Sequence, residues 1–274
     1  MNSAIVITGG GGVLGTEFAR AMAGTGAPVA LIDLGRGMAK ETASEICADG
    51  GRAKAYVANV LDRESLEKVH EQIVSDFGKC RVLINGAGGN SPRCTTDKEA
   101  YCPGDIEDKS VRSFFNLDEE GFRFVFDLNL MGTLLPTQIF ASDMLGEENC
   151  CIINISSMNS YRPLTKIPAY SAAKAAVSNF TQWMAVHFAD AGIRVNAIAP
   201  GFFVTGQNRA LLFDSEGKMT PRSEKIIAAT PMKRFGEPKE LTGTLLWLAD
   251  NKASGFVTGI TVPVDGGFSA YSGV

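Results

Sequence analysis

Residues 4–15 read Ala-Ile-Val-Ile-Thr-Gly-Gly-Gly-Gly-Val-Leu-Gly, and this stretch decides the fold. Ala4–Thr8 is a short apolar run of the kind that forms a strand covered on both faces. The glycines that follow contain GxGxxG as Gly10, Gly12 and Gly15, and they open a helical pattern. A strand, a tight turn and a helix N-terminus then succeed one another, and the free N–H groups of such a terminus can face a pyrophosphate. Glycine runs also make ordinary turns, so the place of this one after the first strand is what gives it meaning. Val29–Asp33, the second strand, ends in a carboxylate eighteen residues after Gly15. A carboxylate there can accept both ribose hydroxyls of an adenosine and repels a 2′-phosphate, which favours NAD over NADP. Arg36, close by, is the one contrary signal.

Outward from this unit, apolar runs alternate with helical patterns almost to the end. Strands are expected at 4–8, 29–33, 53–58, 82–85, 151–156, 194–199 and 259–264. Helices are expected at 14–24, 38–48, 62–77, 119–144, 170–189 and 238–250. This alternation predicts one α/β domain over residues 1–274: a doubly wound, parallel, Rossmann-type sheet of about seven strands with helices on both faces. Two polar, turn-rich excursions interrupt the rhythm, at about 90–117 and 202–237, each longer than an ordinary βα connection. Both follow strand C-terminal ends, where open α/β sheets bind ligands, and both are expected to cover substrate.

The bulk composition narrows the function. The chain has 274 residues, 45% of them hydrophobic, enough for one large two-faced core. A net charge of −4 leaves no basic footprint, so nucleic acid is not an expected partner. No apolar run of about 18 residues stands out as a membrane span, and residues 1–4 lead into the first strand without a charged leader. The six cysteines, Cys47, Cys80, Cys94, Cys102, Cys150 and Cys151, form no CxxC pair. A reduced cytoplasmic chain without a metal site is expected.

Tyr170-Ser-Ala-Ala-Lys174 puts a phenol and an ammonium one turn apart on one helix face. A phenol with pKa near 10 is a poor base at neutral pH, and lowering it to about 7 takes roughly 4 kcal/mol. A lysine beside it and a cationic nicotinamide ring could supply that. YxxxK alone is common on solvated helices. Ser157, just past the strand at 151–156 and thirteen residues before Tyr170, can bring a second hydroxyl to the same strand end. Asn129, an amide among apolar neighbours in the long helix, completes a set able to handle protons beside a dinucleotide fold.

With these residues in place, the chain resembles the single-domain branch of the short-chain dehydrogenase/reductase family over Thr8 to Gly267. The likeness includes Asn85-Gly86-Ala87-Gly88, Asn129, Ser157, Tyr170, Lys174, Pro200-Gly201 with Thr205, and Asp265-Gly266-Gly267. It implies that Tyr170 is the general acid/base, Lys174 binds the nicotinamide ribose and tunes Tyr170, and Ser157 orients the carbonyl. Asn129 would hold a relay water, and Thr205 would meet the carboxamide. The implied NAD site comprises Gly9, Gly12, Val13, Leu14, Gly15, Asp33, Asn59, Val60, Asn85, Ala87, Gly88, Tyr170, Lys174, Pro200, Gly201, Phe203 and Thr205. Three positions depart from the family pattern: Val13 replaces a glycine, which shifts to Gly12; Gly86 replaces a second Asn; and Asn59 stands where an Asp commonly meets adenine.

Within the family, Asn85–Asn90 (NGAGGN), Phe126–Gln138, Ser156–Tyr170, Pro200–Arg209 and the ending Gly266–Val274 resemble the D-mannonate oxidoreductases, or fructuronate reductases. The resemblance implies a sugar-acid substrate and a homotetramer built on the two long helices, which carry Phe180, Trp183, Met184 and Phe188. The residues suit such a substrate: Arg93, Arg162, Lys166 and Arg209 are cations for its carboxylate, and Asn90, Gln207 and Asn208 offer amides to hydroxyls. Asn90, Arg93, Ser157, Arg162 and Asn208 are the expected substrate residues. A dehydrogenase of another polyol or sugar acid, such as gluconate, is the competing enzyme reading. A non-catalytic NAD(H)-binding sensor is the competing reading of another class, and it leaves Ser157 without a purpose.

Overall fold

The computed structural model describes residues 3–35, 37–205 and 209–273. Its first half runs β1 (Ala4–Thr8), α1 (Val13–Ala23), β2 (Val29–Asp33), α2 (Gly37–Ala48), β3 (Ala53–Val57), α3 (Arg63–Phe77) and β4 (Cys80–Asn85). The second half runs α4 (Glu119–Phe126), α5 (Gly132–Phe140), β5 (Cys150–Ile155), α6 (Pro168–His187), β6 (Ile193–Pro200), α7 (Arg209–Leu212), α8 (Pro221–Ala229), α9 (Thr242–Ala249), α10 (Asn251–Ser254) and β7 (Thr261–Val264). All seven strands are parallel in the order β3-β2-β1-β4-β5-β6-β7. The expected fold class is therefore the observed one. Strand order reverses between β1 and β4, which opens a crevice at their C-terminal ends.

Period-two alternation fills a core on each face. In β1, Ala4 and Val6 join the layer formed with Leu66, Ile73, Phe140, Met144 and Met184. Ile5 and Ile7 join Phe18, Met22, Ile46, Leu245 and Leu248 on the other side. That two-sided burial is why the strands read as continuous apolar runs rather than alternating ones.

The stretch expected as one helix over 119–144 keeps its end points but not its uniformity. Between α4 and α5 the backbone forms a π turn, Asp127–Met131, with buried Asn129 at its centre, and the stretch closes in a 3-10 turn, Ala141–Met144. By length and composition alone, Glu119–Met144 is apolar enough to cross a membrane, which amends the sequence expectation; half of that apolar window is buried inside the protein. Val125, Ile139, Phe140 and Met144 are among its buried side chains.

The excursion at 90–117 has little regular structure but is densely bonded. Buried Asp105 accepts from Lys98 Nζ at 2.5 Å and from the Cys102 amide at 2.8 Å. Arg112 donates to the Pro92 carbonyl at 2.6 Å, and its own amide donates to Asp97 Oδ2 at 2.6 Å. The Thr96 amide reaches the Lys166 carbonyl at 2.9 Å, tying this excursion to the segment before α6. The second excursion contains α7 and α8. Thr220 caps α8 by accepting from the Ser223 amide at 3.3 Å, and Pro221 occupies its first turn.

Candidate active site

The glycine turn and the loop after β4 meet at the crevice. Gly9 has φ +67°, and a Cβ there would lie 2.9 Å from the Ala87 nitrogen. A Cβ on Gly15 would lie 2.2 Å from the Gly9 carbonyl oxygen, so no side chain fits. Gly12 is less constrained: a Cβ would meet the Gly9 oxygen at 3.3 Å, and Val13 simply opens α1. The departure of Val13 from the family pattern thus leaves the two indispensable glycines intact. Gly86 has a similar reason, because a Cβ there would come within 2.7 Å of the Thr8 carbonyl oxygen. Thr8 itself, not singled out from the sequence, uses its Oγ1 to accept from the Gly86 and Ala87 amides at 3.2 and 3.3 Å. A hydroxyl ending β1 beside the glycines was the available signal.

Asp33 ends β2 at the rim of this crevice, where its Oδ2 accepts the Gly11 amide at 2.8 Å. Asn59 is exposed, and its Oδ1 accepts the Leu61 amide at 3.0 Å. Val60 is buried, and a Cβ on Gly132 would touch it. Leu14 packs on the core below α1. At the far side, Gly201 lies so close to Asp265 that a Cβ would sit 2.6 Å from its Cα, and Pro200 and Phe203 are buried. Thr205 is half-buried in the same segment. Arg36, Gln207 and Asn208 lie outside the described residues.

Ser157, Tyr170 and Lys174 come together past the end of β5, with the Lys174 ammonium beside Gly88. Ser157 ends the extended segment after β5; its Oγ accepts the Asn159 amide at 3.2 Å and faces the Tyr170 phenol. Tyr170 and Lys174 occupy one face of α6, with Lys174 Nζ 5.7 Å from the Tyr170 ring centre. The ammonium is buried and donates to the Ile155 carbonyl at 2.7 Å. A Cβ on Gly88 would be 3.0 Å from that ammonium and 2.7 Å from Asn129 Oδ1. Burial pushes the Lys174 pKa down to about 8. Burial raises the Tyr170 phenol above its ordinary value, and the Ser157 hydrogen bond opposes this.

Asn129 is brought to the same place, but its side chain is committed to protein. Its Nδ2 donates to the Gly89 and Val125 carbonyls at 2.8 and 2.7 Å, and its Oδ1 accepts the Gly89 amide at 3.3 Å. The amide therefore clamps the loop after β4, a task for which Gly89 was not anticipated.

The proposed substrate residues are less uniformly placed. Arg93 is held by Asp118 at 2.5 Å and Glu120 at 2.9 Å, around the N-terminus of α4. Asn90 donates to Thr95 Oγ1 at 3.3 Å. Arg162 donates to the Ser269 carbonyl at 3.2 Å. Arg209 packs over the Phe213 ring. Lys166 has φ +76°; among the described residues its ammonium makes no ion pair within 4 Å, though it lies near enough to help Lys225 hold the Glu99 carboxyl below its ordinary value.

The dinucleotide implied by this architecture fits the residues present. The turn excludes side chains where a phosphate backbone would pass, and the N-cap Gly12 leaves the first amides of α1 without a side-chain cap. Asp33 would offer a carboxylate to a ribose there.

Comparison with known proteins agrees. A family model described as "Enoyl-(Acyl carrier protein) reductase" matches residues 12–269. An "uncharacterized oxidoreductase" of Haemophilus influenzae is 59% identical over 273 residues, covering 100% of this chain and 95% of its own. The "uncharacterized oxidoreductase UxuB" of Bacillus subtilis is 56% identical over 269 residues, covering 98% of this chain and 95% of its own. The crystal structure of a candidate D-mannonate oxidoreductase from Haemophilus influenza, with bound NAD, superposes with a TM-score of 0.95 at 59% identity, covering 100% of this chain and 97% of that one. The chain belongs to the short-chain dehydrogenase/reductase family and has its NAD(H)-binding fold.

Proposed function

We propose that this oxidoreductase interconverts D-mannonate and D-fructuronate with NAD(H), Tyr170 serving as general acid/base. The observation that carries the chemistry is the pairing of the Tyr170 phenol with the Ser157 hydroxyl on one side and the Lys174 ammonium, 5.7 Å from its ring centre, on the other. The substrate is inferred from the likeness to the NAD-bound Haemophilus protein.

Gly9, Gly12, Val13, Leu14, Gly15, Asp33, Asn59, Val60, Asn85, Ala87, Gly88, Pro200, Gly201, Phe203 and Thr205 would line the dinucleotide, with Tyr170 and Lys174 at its reactive end. When bound, NAD⁺ accepts a hydride from the alcohol carbon, and NADH returns one to the ketone. Ser157 holds the substrate oxygen by hydrogen bonding. Tyr170 takes the hydroxyl proton in oxidation and gives it back in reduction. Lys174, one turn away, favours the phenolate electrostatically. The segments 90–117 and 202–237 cover the substrate, and the enzyme works in the cytoplasm as a homotetramer. Trp183, 56% exposed and stacked between Phe180 and His187, supports a contact along α6, whereas Met184 turns into the core.

The test follows NADH absorbance with fructuronate, 5-ketogluconate and fructose, for the parent and Tyr170→Phe. Fructuronate should be reduced fastest, and the variant should lose about 10²–10⁴-fold in kcat while still binding NADH. Turnover of Tyr170→Phe within about threefold of the parent would remove the assigned role. Sedimentation as a monomer at micromolar concentration would remove the tetramer.

A further inference from the structure

Beneath the site, a chain of buried polar groups runs from Asn129 to α6. Thr133 Oγ1 donates to the Asn129 carbonyl at 2.8 Å, and Thr137 Oγ1 donates to the Thr133 carbonyl at 2.7 Å. Asn85 Nδ2 donates to Thr137 Oγ1 at 3.0 Å and to Asn154 Oδ1 at 2.9 Å. Asn154 Nδ2 then donates to Thr181 Oγ1 at 2.9 Å, and Thr181 Oγ1 donates to the Val177 carbonyl at 2.8 Å. None of these five side chains is more than 3% exposed. Asn85 and Asn154 are register partners at the C-terminal ends of β4 and β5.

The bonds are mutually consistent in direction. Each hydroxyl has one proton. Thr137 and Thr181 commit theirs to their own helices, so towards the sheet they can only accept. Asn85 must therefore present its NH₂ to Thr137, and its other proton meets Asn154 Oδ1. Turning that amide over would set its oxygen against two acceptors. Asn85 Oδ1 is left buried without a partner, the one group the arrangement does not satisfy. Buried polar groups tolerated in this way fix one arrangement rather than add bulk stability.

We infer that the Asn85–Asn154 amide pair, anchored by Thr137 and Thr181, is a positioning bridge that sets the separation between the π turn carrying Asn129 and the helix carrying Tyr170 and Lys174. An apolar core would let the two helices slide, whereas directional bonds hold one spacing. The inference builds on the proposed role of Tyr170 and adds Thr137, Asn154 and Thr181, none of which belongs to the proposed substrate or cofactor set.

Thr137→Val and Thr181→Val keep volume and remove the hydroxyl at either end. Each should lower kcat by about 10–100-fold, because misplacement of about 1 Å can cost about 10²-fold. The KM for NADH should stay within about twofold, and the kcat–pH profile should shift from the parent's. Thr137→Ser and Thr181→Ser should restore both readouts. Valine variants with parental kcat and pH profile, changed only in Tm, would overturn the bridge. Where a valine variant does not fold, Thr→Cys at that position replaces it: lowered kcat at parental Tm supports the bridge, and parental kcat overturns it. Tyr170→Phe run alongside separates the two readings. A parental rate there removes the acid/base role, while loss of kcat in the valine variants still reports the bridge.

Discussion

Asp33 Oδ2 accepts the Gly11 amide at 2.8 Å, so the carboxylate at the end of β2 is held by the glycine turn itself. The turn thereby places a fixed negative charge where the adenosine ribose of the dinucleotide would lie. A 2′-phosphate there would face like charge at close range, worth several kcal/mol.

NADH should accordingly be preferred over NADPH by at least about 10²-fold in kcat/KM, or about 2.7 kcal/mol. Asp33→Ser should shrink that ratio markedly and leave Tyr170 chemistry unchanged with NADH. Parallel kinetics with the two cofactors decide the matter, and comparable use of both by the parent would refute the electrostatic argument.

Lys174 carries a cost in stability. Its pKa falls to about 8 in the folded chain from an ordinary 10.5, so the native state binds fewer protons than the unfolded one between those values. Stability from this group rises with pH across that window, and below about pH 8 the penalty is complete. Lys174→Met should therefore be the more stable protein at pH 7, by up to about 3 kcal/mol before loss of the Ile155 hydrogen bond. Its advantage should shrink from pH 8 to 10. A difference in Tm that is the same at every pH would contradict this.

His70 works in the opposite sense. Its Nε2 lies 2.9 Å from Asp143 Oδ1, and the hydrogen bond to that carboxylate raises the imidazole pKa against the effect of burial. The pair's contribution is full below the unfolded value of 6.5 and is lost as pH climbs through the raised folded value. Asp143 also accepts the buried Cys80 amide at 2.9 Å, so the pair joins α3 to the start of β4. His70→Gln should lower Tm most at pH 5.5 and least above pH 8. Denaturation scans across that range would expose the error if the gap widened with pH.

For the substrate carboxylate, the ion pairs sort the candidate cations. Arg93 is already neutralised by Asp118 and Glu120, so Arg93→Ala should change the KM for fructuronate by no more than about threefold. Lys166, without such a pair among the described residues, should matter more, and Lys166→Ala should raise that KM by about tenfold or more. Fructose, lacking the anion, should respond to neither change. An Arg93→Ala effect larger than that of Lys166→Ala would reverse the assignment.

Much of this architecture was readable from residue order. Strand ends differ from expectation by one or two residues, because apolar runs continue past the last ladder bond in some strands and stop short in others. The Ser157, Tyr170 and Lys174 cluster was legible since a strand end and one helical turn place all three locally. Other features depend on contacts between distant segments. Nothing in Asp-Leu-Asn-Leu marks a π turn, which appears only once Asn129 must reach Gly89. Arg93 is captured by residues twenty-five and twenty-seven positions away, a pairing that no local pattern encodes. The cap of α8, Thr220 followed by Pro221, was written in the chain but lay inside a segment read as irregular.

The bonding around Asp105 and Arg112 gives the 90–117 segment the mechanics of a plate rather than a string. Its carboxylates and guanidinium are tied to backbone groups throughout its length, so its shape is decided during folding, before any ligand arrives. A surface ordered in advance spends none of its binding energy on freezing itself.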